Sequence, residues 1–92
     1  MSRFLIEVPH ADEPAECARV VEVFLRTGSH FLARAEWGCK DGDHKAWIIV
    51  DVDSKDDARA IVPSAFRREA KIVGLNTFTL NEIEGALRQH QR

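Results

Sequence analysis

The segment from Phe31 to Val52 constrains this chain most, because it reads as a single β-hairpin with two distinguishable faces. Asp41-Gly42 is a strong short hairpin signal, since glycine takes positive φ without steric cost. With Lys40-Asp41-Gly42-Asp43 as the turn, Cys39 falls opposite His44, and Trp37 opposite Ala46. Ala35 then faces Ile48, Ala33 faces Val50, and Phe31 faces Val52. One face is apolar along its whole length and ends in a thiol beside an imidazole. A slip of one residue would turn every apolar side chain of one strand to the wrong face, so the pattern argues for this register.

The flanking segments supply the other elements. Arg3 to Val8 alternates as a strand, with Phe4, Ile6 and Val8 on one face. Asp12 is the predicted N-cap of a first helix, with Glu13, Pro14 and Glu16 in its first turn. Cys17, Val20, Val21, Phe24 and Leu25 follow at helical spacing until Gly28. Ser54 with Asp57 resembles a capping box that opens a short second helix through Ala58, Ile61 and Val62, stopped by Pro63. A strand is expected over 70–76. Thr79 with Glu82 forms another capping box, flanked by a Phe78–Ile83 staple, and Leu80, Ile83 and Leu87 share one side of the last helix.

The order is β-α-β-β-α-β plus a C-terminal helix, which predicts one α+β domain over residues 1–92 with the ferredoxin-like arrangement. Such a domain has a four-stranded antiparallel sheet in the order 4-1-3-2, with both main helices on one face. Phe4, Ile6, Val8, Phe31, Ala33, Ala35, Trp37, Ala46, Ile48, Val50 and Val52 are expected to face those helices. Leu5, Glu7, Leu32, Arg34, Glu36, Trp47, Ile49 and Asp51 take the opposite face. Apolar groups ringed by charges there suit a second sheet, so a homodimer through Leu5, Leu32, Arg34, Trp47 and Ile49 is expected. A 92-residue chain has a thin core that dimerisation would help.

This architecture resembles the dimeric α+β barrel superfamily, in which ferredoxin-like subunits place their sheets face to face. Its members include small isomerases and antibiotic-type monooxygenases, so the resemblance implies a homodimer and admits an enzyme. The opening Arg3-Phe4-Leu5-Ile6-Glu7 also resembles the start of a family of small nickel-binding ferredoxin-like proteins.

Composition narrows the partners. Net charge is −2 with no basic run, which disfavours nucleic acid. No apolar run reaches the length of a membrane span, and Arg3 and Glu7 interrupt the N-terminus too early for a signal peptide. Two cysteines without a secretory context point to free thiols and a cytoplasmic location.

The chemistry gathers at one end of the sheet. In the expected arrangement His10, Cys39 and His44 converge there, and Cys17 lies in the first two turns of the helix that starts at the same end. Imidazole and thiolate suit a transition metal, nickel or zinc, so His10, Cys17, Cys39 and His44 are the expected metal ligands, with Asp12, Asp41 and Asp43 nearby. The plain alternative makes Cys17 a small core residue and Cys39 and His44 ordinary strand-end residues. An enzymatic alternative makes Cys39 a nucleophile activated by His44, at a pocket rimmed by Lys40, Arg67 and Arg68. A third makes the chain a dimerisation or regulatory module. The sequence thus predicts a small dimeric binding protein with a transition-metal site, ahead of a small enzyme.

Overall fold

A computed structural model describes residues 1–90 of the chain. Its elements are β1 (Ser2–Pro9), α1 (Pro14–Arg26), α2 (His30–Ala33), β2 (Glu36–Trp37), a 3-10 turn (Cys39–Asp41), β3 (Lys45–Val52), α3 (Lys55–Ile61), α4 (Ser64–Arg67), β4 (Lys71–Leu75) and α5 (Leu80–Gln89). The antiparallel sheet reads β2-β3-β1-β4 from edge to edge. Alternation along β1 sends Phe4, Ile6 and Val8 inward, opposite Val50, Ile48 and Ala46 of β3. Val20 and Phe24 of α1, Leu32 of α2, Ala58 of α3, and then Val62, Ala70 and Ile72 complete the core. Fully buried side chains such as Ile6, Val20, Phe24 and Val62 each contribute roughly 1.5–3 kcal/mol by leaving water.

The expected ferredoxin-like fold is corrected by the length of β2 and by the helices. That fold, with its 4-1-3-2 sheet and two main helices, needs a full-length second strand. Here β2 is two residues long in a β2-β3-β1-β4 sheet, and five α-helical segments are present among the described residues. The cause lies at residues 28–33. Gly28, at φ +75°, turns the chain, and the Ser29 hydroxyl accepts a hydrogen bond from the Leu32 amide at 3.4 Å. The Ala33 amide donates to the Ser29 carbonyl at 3.0 Å, which winds Phe31-Leu32-Ala33 into a helical turn. Leu32 therefore enters the core at 2% exposure, while Phe31 stays 41% exposed and Ala33 is also exposed. Leu32 and Arg34, expected on the outer sheet face, do not lie on a strand at all.

The hairpin end differs too. Trp37 pairs with Ala46 as expected, and the Gly38 amide donates to the Lys45 carbonyl at 3.1 Å. There the ladder stops. Cys39 opens the 3-10 turn, Gly42 closes it at φ +84°, and Cys39 and His44 are not a strand rung. Gly38 permits this course: a Cβ at that position would sit 2.6 Å from the Asp43 carbonyl oxygen and 2.7 Å from the Trp47 ring.

Pro63 separates α3 from α4. The Arg67 guanidinium donates to the carbonyls of Ala60 and Val62, satisfying the exposed end of α3.

The outer sheet face carries a short apolar rung, Val73–Leu5–Ile49, set directly by the strand register. Lys71–Glu7–Trp47–Glu36 borders it on one side and Leu75–Arg3–Asp51 on the other. The Trp47 indole donates to the Glu7 carboxylate at 3.1 Å, and Ile49 is 58% exposed. The last helix, α5, is capped as expected by Thr79, whose hydroxyl accepts from the Glu82 amide at 3.2 Å. None of its residues is buried. The radius of gyration is 16.7 Å and the long axis 55 Å, whereas a compact chain of this length has a radius of about 12 Å. No helix among the described residues is long and apolar enough to cross a membrane.

Candidate metal centre

Four elements deliver the site. His10 follows the last residue of β1, and His44 precedes the first residue of β3. The β1–β3 register ends at Pro9–Lys45, and the His10 amide extends it by donating to the His44 carbonyl at 3.1 Å. The two histidines are thus neighbours by ladder geometry, with their rings edge-on at 5.6 Å. Pro14 starts α1, and the Cys17 amide donates to the Glu13 carbonyl at 2.9 Å. This places Cys17 in the first turn of α1. Cys39 comes from the 3-10 turn.

All four expected ligands meet. One ligand atom from each of His10, Cys17, Cys39 and His44 lies within 4.8 Å of every other, and all four residues are half-buried. Both cysteines are free thiols. Cys39 Sγ is 3.2 Å from His10 Nε2, and the Trp37 ring packs against the His10 imidazole at 5.8 Å. The Phe24 ring supports Trp37 from behind at 5.0 Å.

The imidazoles are incompletely satisfied. Nδ1 of His10 and Nδ1 of His44 are buried and have no hydrogen-bond partner. A buried polar atom left in this way costs about 1–3 kcal/mol. His44 Nε2 is held 2.9 Å from the Asp12 carboxylate. Donation of Nε2–H to that carboxylate leaves the Nδ1 lone pair as the coordinating one, the arrangement by which carboxylates orient metal-binding histidines.

Burial and neighbours set the protonation states. Burial lowers the His10 pKa, the nearby His44 lowers it further, and Glu16 partly offsets both. His10 is therefore held neutral, the form that ligates. Burial pushes the Cys39 thiol up to about 11, reinforced by its hydrogen bond with and proximity to Cys17. Without a cation the Cys39 sulfur stays protonated near neutral pH, and a bound metal would displace that proton.

These features weigh against Cys39 as an activated nucleophile, because a catalytic thiol needs a depressed pKa. The imidazole at Cys39 is His10 rather than the expected His44. Of the expected basic rim, only Lys40 lines the neighbouring groove. Arg67 is committed to helix carbonyls, and Arg68 is exposed beyond α4. Asp41 and Asp43 stay exposed in the turn. Asp12 has a different role from the expected one: Glu13 takes the cap position of α1 without a side-chain bond, and Asp12 holds His44. The spacing His10-x-Asp12 at the end of a strand was the available signal. His30 and His90 lie exposed at the ends of α2 and α5, away from the cluster.

A groove of about 570 Å³ lies against the cluster, lined by Cys17, Val21, Ala35, Glu36, Trp37, Cys39 and Lys40. Both thiols thus border solvent-accessible space. Comparison with protein-family models, curated proteins and solved structures returns no match.

Proposed function

We propose that this protein binds a single transition-metal ion, zinc, through His10, Cys17, Cys39 and His44. The observation that carries the reading is the convergence of four ligand atoms within 4.8 Å of one another from four separate elements. A tetrahedral zinc with Zn–S of about 2.3 Å and Zn–N of about 2.0–2.1 Å separates its ligand atoms by roughly 3.4–3.8 Å. Closing the cluster onto zinc therefore takes side-chain adjustments of about an ångström, with the backbone left in place. Two thiolates and two imidazoles form a donor set suited to tetrahedral zinc, and nickel ranks below it because its preferred geometries are different. Two free thiols in such a site also suit a reducing compartment.

The groove beside Cys17 and Cys39 distinguishes this site from a wholly enclosed structural one. It supports a small binding protein whose metal is approachable from one side. The test is elemental analysis and chelator competition on protein purified without an affinity tag. One zinc per chain is expected, with affinity at least 100-fold weaker in Cys39→Ser and His44→Ala. Substoichiometric metal that both variants retain equally would overturn the reading. Tighter binding of nickel than of zinc would overturn the choice of metal.

A further inference from the structure

We propose that the chain forms a two-fold dimer in which each α5 packs across the outer sheet face of the other copy. Two apolar surfaces of the chain lack a partner, and they match. On α5, Leu80, Ile83 and Leu87 recur at helical spacing along one side and are 73%, 39% and 56% exposed, with Phe78 at the base 69% exposed. On the sheet, the rung Val73–Leu5–Ile49 crosses three strands, with Val73 and Leu5 half-buried and Ile49 58% exposed.

Neither surface is stable as it stands. A ten-residue helix with Gly85 in its interior is too short to persist alone in water. In the single chain no residue of α5 is buried, and the long axis of the molecule reaches 55 Å. Charge favours the same docking. Lys71, on the edge strand beside the apolar rung, has no ion-pair partner among the described residues, and neither do Glu82 and Glu84 of α5. The area is also adequate. At roughly 200 Å² per large side chain, Phe78, Leu80, Ile83, Leu87 and Ile49 leave on the order of 500 Å² of apolar surface per chain. With a polar rim added, that approaches the ~800 Å² per partner of a standard interface. Because each chain carries both halves, a two-fold exchange closes the assembly and leaves no free face.

The test is light scattering on the full chain and on two variants, Ile49→Asp on the sheet and Leu87→Asp on α5. Both substitutions fall at exposed positions, and circular dichroism checks that each variant folds. Wild type is expected at twice the chain mass, and each variant is expected to dissociate at least 100-fold more readily. An equimolar mixture of the two variants is expected to regain dimers, because one of its two helix-on-sheet contacts is then wild type on both sides. Should either aspartate variant misfold, Ile49→Thr and Leu87→Ala ask the same question more gently. A monomeric wild type, with α5 folded back on its own sheet or left free, overturns the proposal. A Leu87 variant that remains dimeric, as sheet-on-sheet association would allow, also overturns it, and so does a mixture that stays monomeric.

Discussion

Excess zinc, added to metal-free protein to a free concentration about 100-fold above Kd, is expected to raise its melting temperature by roughly 10–20 °C. The size follows from linkage. A ligand that binds only the folded chain at that excess stabilises it by about 2.7 kcal/mol. In a domain of 60–100 residues each kcal/mol shifts the midpoint by about 4–8 °C. The structure indicates why the folded chain is the form that binds: His10, Cys17, Cys39 and His44 are separated along the chain and converge only when β1, α1, the 3-10 turn and β3 are in place. Zinc also supplies a partner for the orphaned His44 Nδ1, relieving a cost already present in the metal-free fold. The assay is thermal unfolding by circular dichroism, with chelator, with zinc and with magnesium as a control. In a Cys17→Ser/Cys39→Ser double variant the zinc-induced shift should fall to about 2 °C or less, since the two thiolates supply most of the charge that holds the ion. Coincident melts with and without zinc, or an equal shift in the double variant, would refute the reasoning.

Three further perturbations probe the surroundings of the site. Asp12→Ala should weaken zinc binding about 10–100-fold by freeing the His44 ring, while leaving the stoichiometry at one; chelator competition reads this, and an unchanged affinity would show that the carboxylate does not orient the ligand. In metal-free protein, stability should rise with pH through the window from the lowered His10 pKa up to its ordinary value of 6.5. The unfolded chain binds the proton more tightly there, so stability is lost as pH falls, and denaturant titrations of wild type should converge with those of His10→Gln above that window. Gly38→Ala should destabilise the fold by about 1–3 kcal/mol, because its Cβ would meet the Asp43 carbonyl oxygen at 2.6 Å and the Trp47 ring at 2.7 Å; a neutral result in chemical denaturation would mean that the 3-10 turn yields readily.

The parts of the fold legible in the sequence were those in which local chemistry and long-range packing agreed. β1 and β3 alternate cleanly, and their inward sets, Phe4-Ile6-Val8 and Ala46-Ile48-Val50, are the buried ones. Ser54 and Thr79 cap α3 and α5 where their side-chain chemistry suggests. The second strand is shorter than its pattern suggests because Phe31-Leu32-Ala33-Arg34-Ala35 satisfies two periods at once. Alternate residues match the hairpin, but a run this short fits one helical turn equally well. Local preference decides between them. Ser29 is a good cap, and alanine and leucine favour helix, whereas alanine is depleted in strands. Weighing those preferences buries Leu32 and exposes Phe31, as found.

The metal centre is independent of the length of β2 because its geometry depends on different parts of the chain. His10 and His44 are brought together by the β1–β3 ladder, whose register follows from the two alternation patterns and owes nothing to β2. Cys17 follows from Pro14, which starts α1 and so sets which turn carries the thiol. Cys39 needed only to stay near the start of β3. With Trp37 held opposite Ala46 and β3 starting at Lys45, a tight turn over residues 39–43 keeps Cys39 close to His44 whether it is a β-turn or a 3-10 turn. What the turn type did change is the pairing inside the cluster. In the 3-10 conformation Cys39 Sγ meets His10 instead of His44, and His44 is left to Asp12. That division leaves one imidazole against a thiol and the other fixed by a carboxylate. It makes the roles of Asp12 and Cys39 distinguishable: Cys39→Ser removes one zinc ligand, and Asp12→Ala frees the ring of another. Because both act on one ion, their effects on zinc affinity should depart from the sum of the two free energies. A double variant that loses the full sum of the two free energies would mean that Asp12 acts independently of the ion that Cys39 holds.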